Sequence, residues 1–178
     1  IATGIGHLKK LKAYAPGQDD KLKAILSTAI PYLDRKIKED YDDLIKYKVN
    51  LKTYTPGYTS IQYLYMRSFF PEYEIAAASK TAYNYFRSRV QQTWVGQGKY
   101  MQGMIALSLN RTGDATTPAA ILKSLKETSI TNEELGMYWK DQTAGWFWHE
   151  APIETHSLLI ETFQEVGKNV KTQDFASQ

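Results

Sequence analysis

Cysteine is absent from the 178 residues. That excludes a disulfide framework, a thiolate metal site and a cysteine nucleophile within them. It leaves the compartment open, because exported chains can also lack disulfides. Long apolar runs are missing as well: none reaches the roughly 18–20 residues that a bilayer-spanning helix needs. A strong excess of one charge is lacking too. Lys and Arg number 22 against 19 Asp and Glu, for a net charge of +3, whereas a nucleic-acid reader concentrates its basic residues in a stripe. Here Lys36, Lys38, Glu39, Asp40, Asp42, Asp43 and Lys46 fall on one segment, a mixed run that reads as a solvated helix face. No signal-peptide pattern opens the chain. It begins at Ile1, within what already reads as a helix (Ile1, Ile5, Leu8, Leu11). The expectation is a piece of a longer chain, with any targeting information outside it.

The chain is rich in tyrosine (13) and tryptophan (4), rings with a polar handle that suit a core or groove that is partly wet. The apolar content is enough for one sizeable core, and the length suggests one domain over 1–178. Apolar residues recur at helical spacing over 1–14, 20–48, 58–70, 74–94, 99–111, 117–128 and 152–166, and one more helix is expected to begin at 169. Breakers separate these segments: Pro16-Gly17, Thr55-Pro56-Gly57, Pro71, Gly96 with Gly98, and Thr112-Gly113-Asp114. Gly4 and Gly6 weaken the first helix and are expected to allow close packing. Asp19 and Asp20 suit a helix N-terminus, and Pro31 should kink or divide the helix that follows. Thr117 reads as an N-cap before Pro118. Ile153, Leu159, Ile160, Phe163 and Val166 form the expected buried stripe of the last segment, with Gly167 as its C-terminal cap.

Residues 129–151 differ. Gly136-Met-Tyr-Trp139 and Gly145-Trp-Phe-Trp148 lie either side of Asp141-Gln142-Thr143, which predicts a small β-hairpin or two extended pieces near 135–149. Elsewhere, nearly all-apolar helices (1–14, 58–70, 99–111, 152–166) alternate with amphipathic ones. The prediction is an all-α fold of helical hairpins, an inner layer covered on most sides and an outer layer covered on one. The starts are too unevenly spaced for a fixed-period repeat.

Candidate chemistry is sparse. His149-Glu150 with His156 invites a zinc-protease reading, but that motif is His-Glu-x-x-His on one helix; position 153 is Ile and Pro152 intervenes. His149 and His156 read instead as a rim and a helix-face histidine, and His7 as a satisfied, partly buried one. Glu150 and Glu154 lie four residues apart, which does not show two carboxyls flanking a sugar; Glu154 reads as a first-turn helix carboxylate. Gly4-x-Gly6, Gly96-x-Gly98 and Gly103 match no phosphate loop, and Asn110-Arg-Thr112 is a formal glycosylation sequon. No catalytic, cofactor-binding or metal-ligating residue is expected. The oddest feature is the ring cluster Trp139, Trp146, Phe147 and Trp148. It is either a carbohydrate or peptide platform or a set of rings that staples an extended segment to the helical body. Rings alternate between two faces of an extended segment, so at least one face must be buried, which favours the staple. Trp139, Trp146, Trp148 and His149 are the candidate interaction surface.

Three stretches carry a family resemblance: Ile1-Ala-Thr-Gly-Ile-Gly-His-Leu-Lys-Lys-Leu11, Glu134-Leu-Gly-Met-Tyr-Trp-Lys140 and Ala151-Pro-Ile-Glu-Thr-His-Ser-Leu-Leu-Ile-Glu161. They resemble bacterial alpha-2-macroglobulin-like proteins, above all the large cell-envelope members found in Bacteroidetes. Ala-Pro-Ile-Glu-Thr before an apolar helix is the most specific part, while His156 stands where the family's pattern has Gln. The middle of the chain fits by helix pattern only. The resemblance falls in the thioester-type domain and implies an alpha/alpha toroid, of which this chain would be a partial ring. It also implies broad endopeptidase inhibition by protease trapping, in the periplasm or at the cell envelope. Many members use a Cys-x-Glu-Gln thioester, which would lie upstream of Ile1. Expected partners are the other domains of the parent, target proteases through the parent, and a second copy through exposed helix ends; no nucleic acid and no cofactor are expected. The other reading is an alpha/alpha-toroid carbohydrate-binding or carbohydrate-active domain built on Trp139, Trp146 and Trp148.

Overall fold

The computed structural model describes residues 1–134, 136–140 and 151–169. Among them the chain is all-α with one small hairpin. The helices are α1 (Ala2–Leu11), α2 (Asp19–Lys46), α3 (Tyr58–Arg67), α4 (Ala77–Thr93), α5 (Lys99–Arg111), α6 (Thr116–Glu127) and α7 (Pro152–Asn169), with a 3-10 turn at Trp94–Gly96. Where length suggests one domain, the chain gathers into two compact units, Ile1–Thr93 and Trp94–Gln178. No helix among the described residues is long and apolar enough to cross a membrane.

In the first unit α3 is the central element. Ser60, Ile61 and every residue from Tyr63 to Arg67 are buried, so the helix is covered nearly all round, by α1, α2 and α4. The 28-residue α2 buries only Leu26, Ile30, Asp34 and Ile37, a stripe at spacings of four and three. Ile25 and Ile45 of the expected stripe are 45% and 52% exposed. Pro31 does not divide this helix. It lies on the exposed side, where water can satisfy the carbonyl that its missing N–H leaves free. The expected inner helix α1 buries just Ala2, Ile5 and Gly6. Its glycines differ in role. A Cβ on Gly6 would sit 2.6 Å from Phe69 Cγ, whereas one on Gly4 would meet nothing within 4 Å. Gly6→Ala should therefore destabilise by about 1–3 kcal/mol, the cost of forcing a packed ring aside. Gly4→Ala should stabilise by up to about 1 kcal/mol through helix propensity. Urea unfolding of the two variants checks the pair; equal signs would remove the close-packing argument.

In the second unit α5 is central and packs on both α6 and α7, burying the continuous run Gly103–Leu109. Gly103 brings α7 close: a Cβ there would lie 3.2 Å from Leu158 Cδ2 and Thr162 Oγ1. Arg111 at the end of α5 donates from Nε and Nη2 to both carboxylate oxygens of Glu165, at 2.7 and 2.8 Å, and from Nη2 to Glu161 at 2.7 Å. The stripe of α7 is rotated from the expected one. Thr155, Leu158, Leu159, Thr162 and Val166 are buried, while Ile153 and Ile160 are 79% and 60% exposed. The threonines tolerate burial because their hydroxyls donate one turn back, to Ala151 O at 3.0 Å and Leu158 O at 2.8 Å. Gly167 lies inside α7 and is not its cap. At α6 the N-cap position is Ala115, and the carboxylate that serves the free amides comes from the residue before it, Asp114, whose Oδ1 accepts from the amides of Thr116 (2.9 Å) and Thr117 (3.0 Å). Helix formation therefore starts before Thr117, and Gly113 supplies the left-handed turn at φ 86°.

The hairpin is present, with a different pairing. β1 (Ile130–Asn132) runs antiparallel to β2 (Gly136–Tyr138), Ile130 opposite Tyr138. The first aromatic run thus pairs with the segment before it. Asn132 closes the turn by accepting from the Glu134 amide at 2.8 Å, and Gly136 takes φ 68°. The second run, 145–148, and the helix expected from 169 lie outside the described residues, apart from the end of α7.

Candidate functional site

One charged network is sealed inside the first unit. Asp34 of α2 and Arg67 of α3 have side chains only 4% exposed, with Arg67 Nε 3.0 Å from Asp34 Oδ1. That contact lies outside hydrogen-bond geometry, so it works by charge. The directional bonds of the guanidinium go to Phe70 O (2.9 Å) and Tyr73 O (2.7 Å), which ties down the chain leaving α3. Tyr63 OH donates to Asp34 Oδ1 at 2.7 Å. Burial, then the bond to Asp34 and its charge, raise the Tyr63 phenol above its ordinary value. The sign follows. An unfolded tyrosine ionises near pH 10, so above that the unfolded state has lost a proton that the folded state keeps. Stability is complete below pH 10 and falls as pH rises towards the folded pKa. Tyr63→Phe should lose part of this alkaline slope, by at most about 1.4 kcal/mol per pH unit. Urea midpoints between pH 9 and 11 measure it, and unchanged slopes would sink the assignment.

A concavity with polar lining lies beside this network, between the last third of α2 and the start of α3. It is an open cleft of about 310 Å³ lined by Asp40, Asp43, Tyr54, Gly57, Tyr58, Thr59 and Ser60. Its wall is a braced loop. Tyr85 OH of α4 donates to Leu51 O at 3.1 Å, and Arg89 Nε donates to Tyr54 O at 2.8 Å. The Tyr54 ring stacks on Tyr85 and meets Phe86 edge-on. The acids of α2 divide into two kinds. Lys36 pairs with Glu39 and Lys38 with Asp42. Asp40 and Asp43, one turn apart, make no ion pair or side-chain hydrogen bond with a described residue. Burial, then Asp43 and Glu39, push the Asp40 carboxyl up; burial and the charge of Asp40 push the Tyr54 phenol up. The first turn of α3 has no side-chain cap.

The structure separates the residues singled out from sequence. Trp139 is 5% exposed. Its Nε1–H donates to Leu125 O, near the end of α6, at 2.9 Å, and its ring lies against His156 and Phe163 of α7. It staples the hairpin to two helices. Trp146, Trp148, His149 and Glu150 lie outside the described residues. His156 Nδ1 bonds Pro152 O at 2.8 Å, and Glu154 is exposed in the first turn of α7. His7 sits 3.2 Å from Tyr65 OH and edge-on to Phe69. Among the described residues no group of three or more His, Cys, Asp or Glu side chains can hold a metal ion. The cleft escaped sequence reasoning because its acids belong to a run that looks solvated throughout. The available signal was pairing: the lysines three and four residues from Glu39 and Asp42 are used up, leaving Asp40 and Asp43. No protein-family model, no curated protein and no solved structure matches the chain.

Proposed function

We propose that this chain is a non-catalytic, structural part of an alpha-2-macroglobulin-like cell-envelope protein, where it contributes helical hairpins to a thioester-type alpha/alpha toroid. The observation that carries the reading is the resemblance over Ile1–Leu11, Glu134–Lys140 and Ala151–Glu161. The layering of helices supports it in part: of the four helices expected in the inner layer, α3 and α5 are covered nearly all round while α1 and α7 bury one face, and α2, α4 and α6 each bury one stripe. The Ala-Pro-Ile-Glu-Thr stretch has a matching physical role. Pro152 opens α7, Glu154 sits in its first turn, and Thr155 turns inward with its hydroxyl on Ala151 O. The implied role of the parent is broad endopeptidase inhibition by trapping, at the envelope or in the periplasm. Its partners are then its own neighbouring domains and the proteases it captures.

The test is the full-length parent incubated with endopeptidases of unrelated specificity. Cleavage within one bait segment followed by co-migration of each protease with the parent is the expected result. A parent lacking neighbouring macroglobulin-type β domains, or one that captures no protease after cleavage, would end the proposal. The carbohydrate reading loses one of its three rings, because Trp139 is occupied in packing.

A further inference from the structure

The end of α2 in the first unit is fixed in shape and open to solvent. Six consecutive residues there, Ile45 to Asn50, are exposed. Among them Ile45, Tyr47 and Val49 are large apolar side chains, 52%, 68% and 38% exposed. Lys46, Lys48 and Lys52 alternate with the apolar positions, and none of the three makes an ion pair with a described residue. From Leu44 to Tyr54 the chain carries no acid. The acid just before, Asp43, lines the cleft beside α3 instead. Beneath the loop that follows, Arg89 is 8% exposed. Among the described residues it bonds only neutral acceptors, Tyr54 O at 2.8 Å and Gln92 Oε1 at 2.5 Å. It adds a fourth positive charge to the same end.

The exposure does not come from a loose end. Val49 N–H donates to Leu44 O at 2.9 Å and Lys48 N–H to Ile45 O at 3.0 Å, the paired bonds that close a helix through a left-handed residue. That residue is Lys48, at φ 55°, a position that glycine takes at lower cost. Asn50 holds the next turn. Its carbonyl accepts from the Thr53 and Tyr54 amides, and its side chain accepts from the Lys52 amide at 3.0 Å. Tyr85 and Arg89 of α4 fix the loop at Leu51 and Tyr54. A rigid turn therefore presents apolar side chains and lysines together.

The positive charge calls for an anionic partner, and the apolar side chains call for one with an apolar layer beneath its charge. A protein partner matches so small a tip poorly, since a specific interface takes roughly 800 Å² from each side. An anionic bilayer surface asks less. Apolar side chains enter the headgroup boundary, a tyrosine ring suits that level, and lysines reach phosphates while their stems stay in the apolar layer. We propose that the end of α2 is a peripheral docking point for an anionic phospholipid surface, with Ile45, Tyr47 and Val49 at its apolar boundary and Lys46, Lys48 and Lys52 on its phosphates. Such a contact is reversible and needs no spanning helix. It stands independently of the role proposed for the parent.

The test is co-sedimentation of the chain with vesicles of phosphatidylcholine alone or with roughly a third phosphatidylglycerol. The anionic vesicles should bind at least about tenfold more tightly, and the advantage should shrink as salt is raised. Lys46→Gln, Lys48→Gln and Lys52→Gln together should remove most of it, at about fivefold per lysine. Lys21→Gln, Lys23→Gln and Lys80→Gln lower the net charge equally from exposed positions elsewhere and should leave most of it in place. Ile45→Ser with Val49→Ser should weaken binding to both kinds of vesicle. Lys48→Gly separates binding from folding. It should not lower the thermal midpoint, because glycine suits φ 55°, yet it should weaken binding to the anionic vesicles about fivefold. No preference for anionic vesicles, or equal losses in the two sets of lysine variants, would overturn the proposal. Failure to bind vesicles while poly-L-glutamate shifts the amides of residues 44–54 would overturn it in favour of an acidic protein.

Discussion

Replacing Arg67 by methionine should lower the unfolding free energy by about 3–5 kcal/mol, the cost of stripping a buried charge of its partner. Asp34 would remain with Tyr63 as its hydrogen-bond donor, inside a site where both acid and base were 4% exposed. Two carbonyls, Phe70 O and Tyr73 O, would also lose the donors that anchor the segment after α3. Asp34→Asn leaves the buried Arg67 charge without its counter-ion, but the guanidinium keeps its bonds to Phe70 O and Tyr73 O and the amide oxygen can still accept from Tyr63. The decisive comparison is a triple variant, Asp34→Leu, Tyr63→Phe and Arg67→Met. With the buried charges removed together, it should be more stable than Arg67→Met alone, since the desolvation cost of an orphaned carboxylate disappears. Urea denaturation followed by far-ultraviolet circular dichroism measures all three. A loss below about 1 kcal/mol in Arg67→Met would show that water enters the site on mutation, so that Asp34 is not sealed.

Truncating Trp139 to alanine should cost about 3–5 kcal/mol, in the range for removing a large buried ring. Two losses combine. The ring no longer fills the space beside His156 and Phe163 on α7, and the carbonyl of Leu125 loses its indole donor at the end of α6. Trp139→Phe separates the two. It keeps most of the ring and removes the donor, so it should cost about 1–2 kcal/mol. Chemical unfolding by circular dichroism reads both without relying on the mutated fluorophore. The same substitution tests the carbohydrate reading from another side. A Trp139→Phe variant should respond to oligosaccharides as the parent chain does, and a lost response specific to this variant would show that the ring meets solvent and ligand.

Much of the fold was legible because helices are local objects. The bounds expected for the helix at 99–111 match α5, since Gly98 and Gly113 bracket it and the apolar run between them carries the helix through Gly103. The helix expected over 58–70 was close for the same reason, ending with Arg67 in α3. Caps were less legible. Asp114 and Thr117 both carry capping oxygens, and the structure uses the Asp114 carboxylate, from the residue before the N-cap position, because it reaches two amides at once. The hairpin was expected, but its partner strand was not. Gly136-Met-Tyr-Trp139 pairs with Ile130–Asn132, a choice made by the Asn132 turn and the docking of Trp139, whereas alternation of rings alone left both directions open.

Helical identity, breakers and the all-α class were determined by the sequence itself, through spacing, glycine and proline. So was the absence of cysteine chemistry. Which side of each helix turns inward was decided only by tertiary structure. Ile153 and Ile160 look like core residues and face solvent; Asp34 looks like a surface residue and is buried. The reason in each case is a partner from a distant segment. Asp34 can be buried because Arg67 and Tyr63 arrive on α3, and Thr162 lies inward with Leu158 and Leu159 because Gly103 lets α7 approach α5 closely. The aromatic cluster followed the same rule: its sequence allowed a platform or a staple, and for Trp139 the carbonyl of Leu125 and the face of α7 made it a staple.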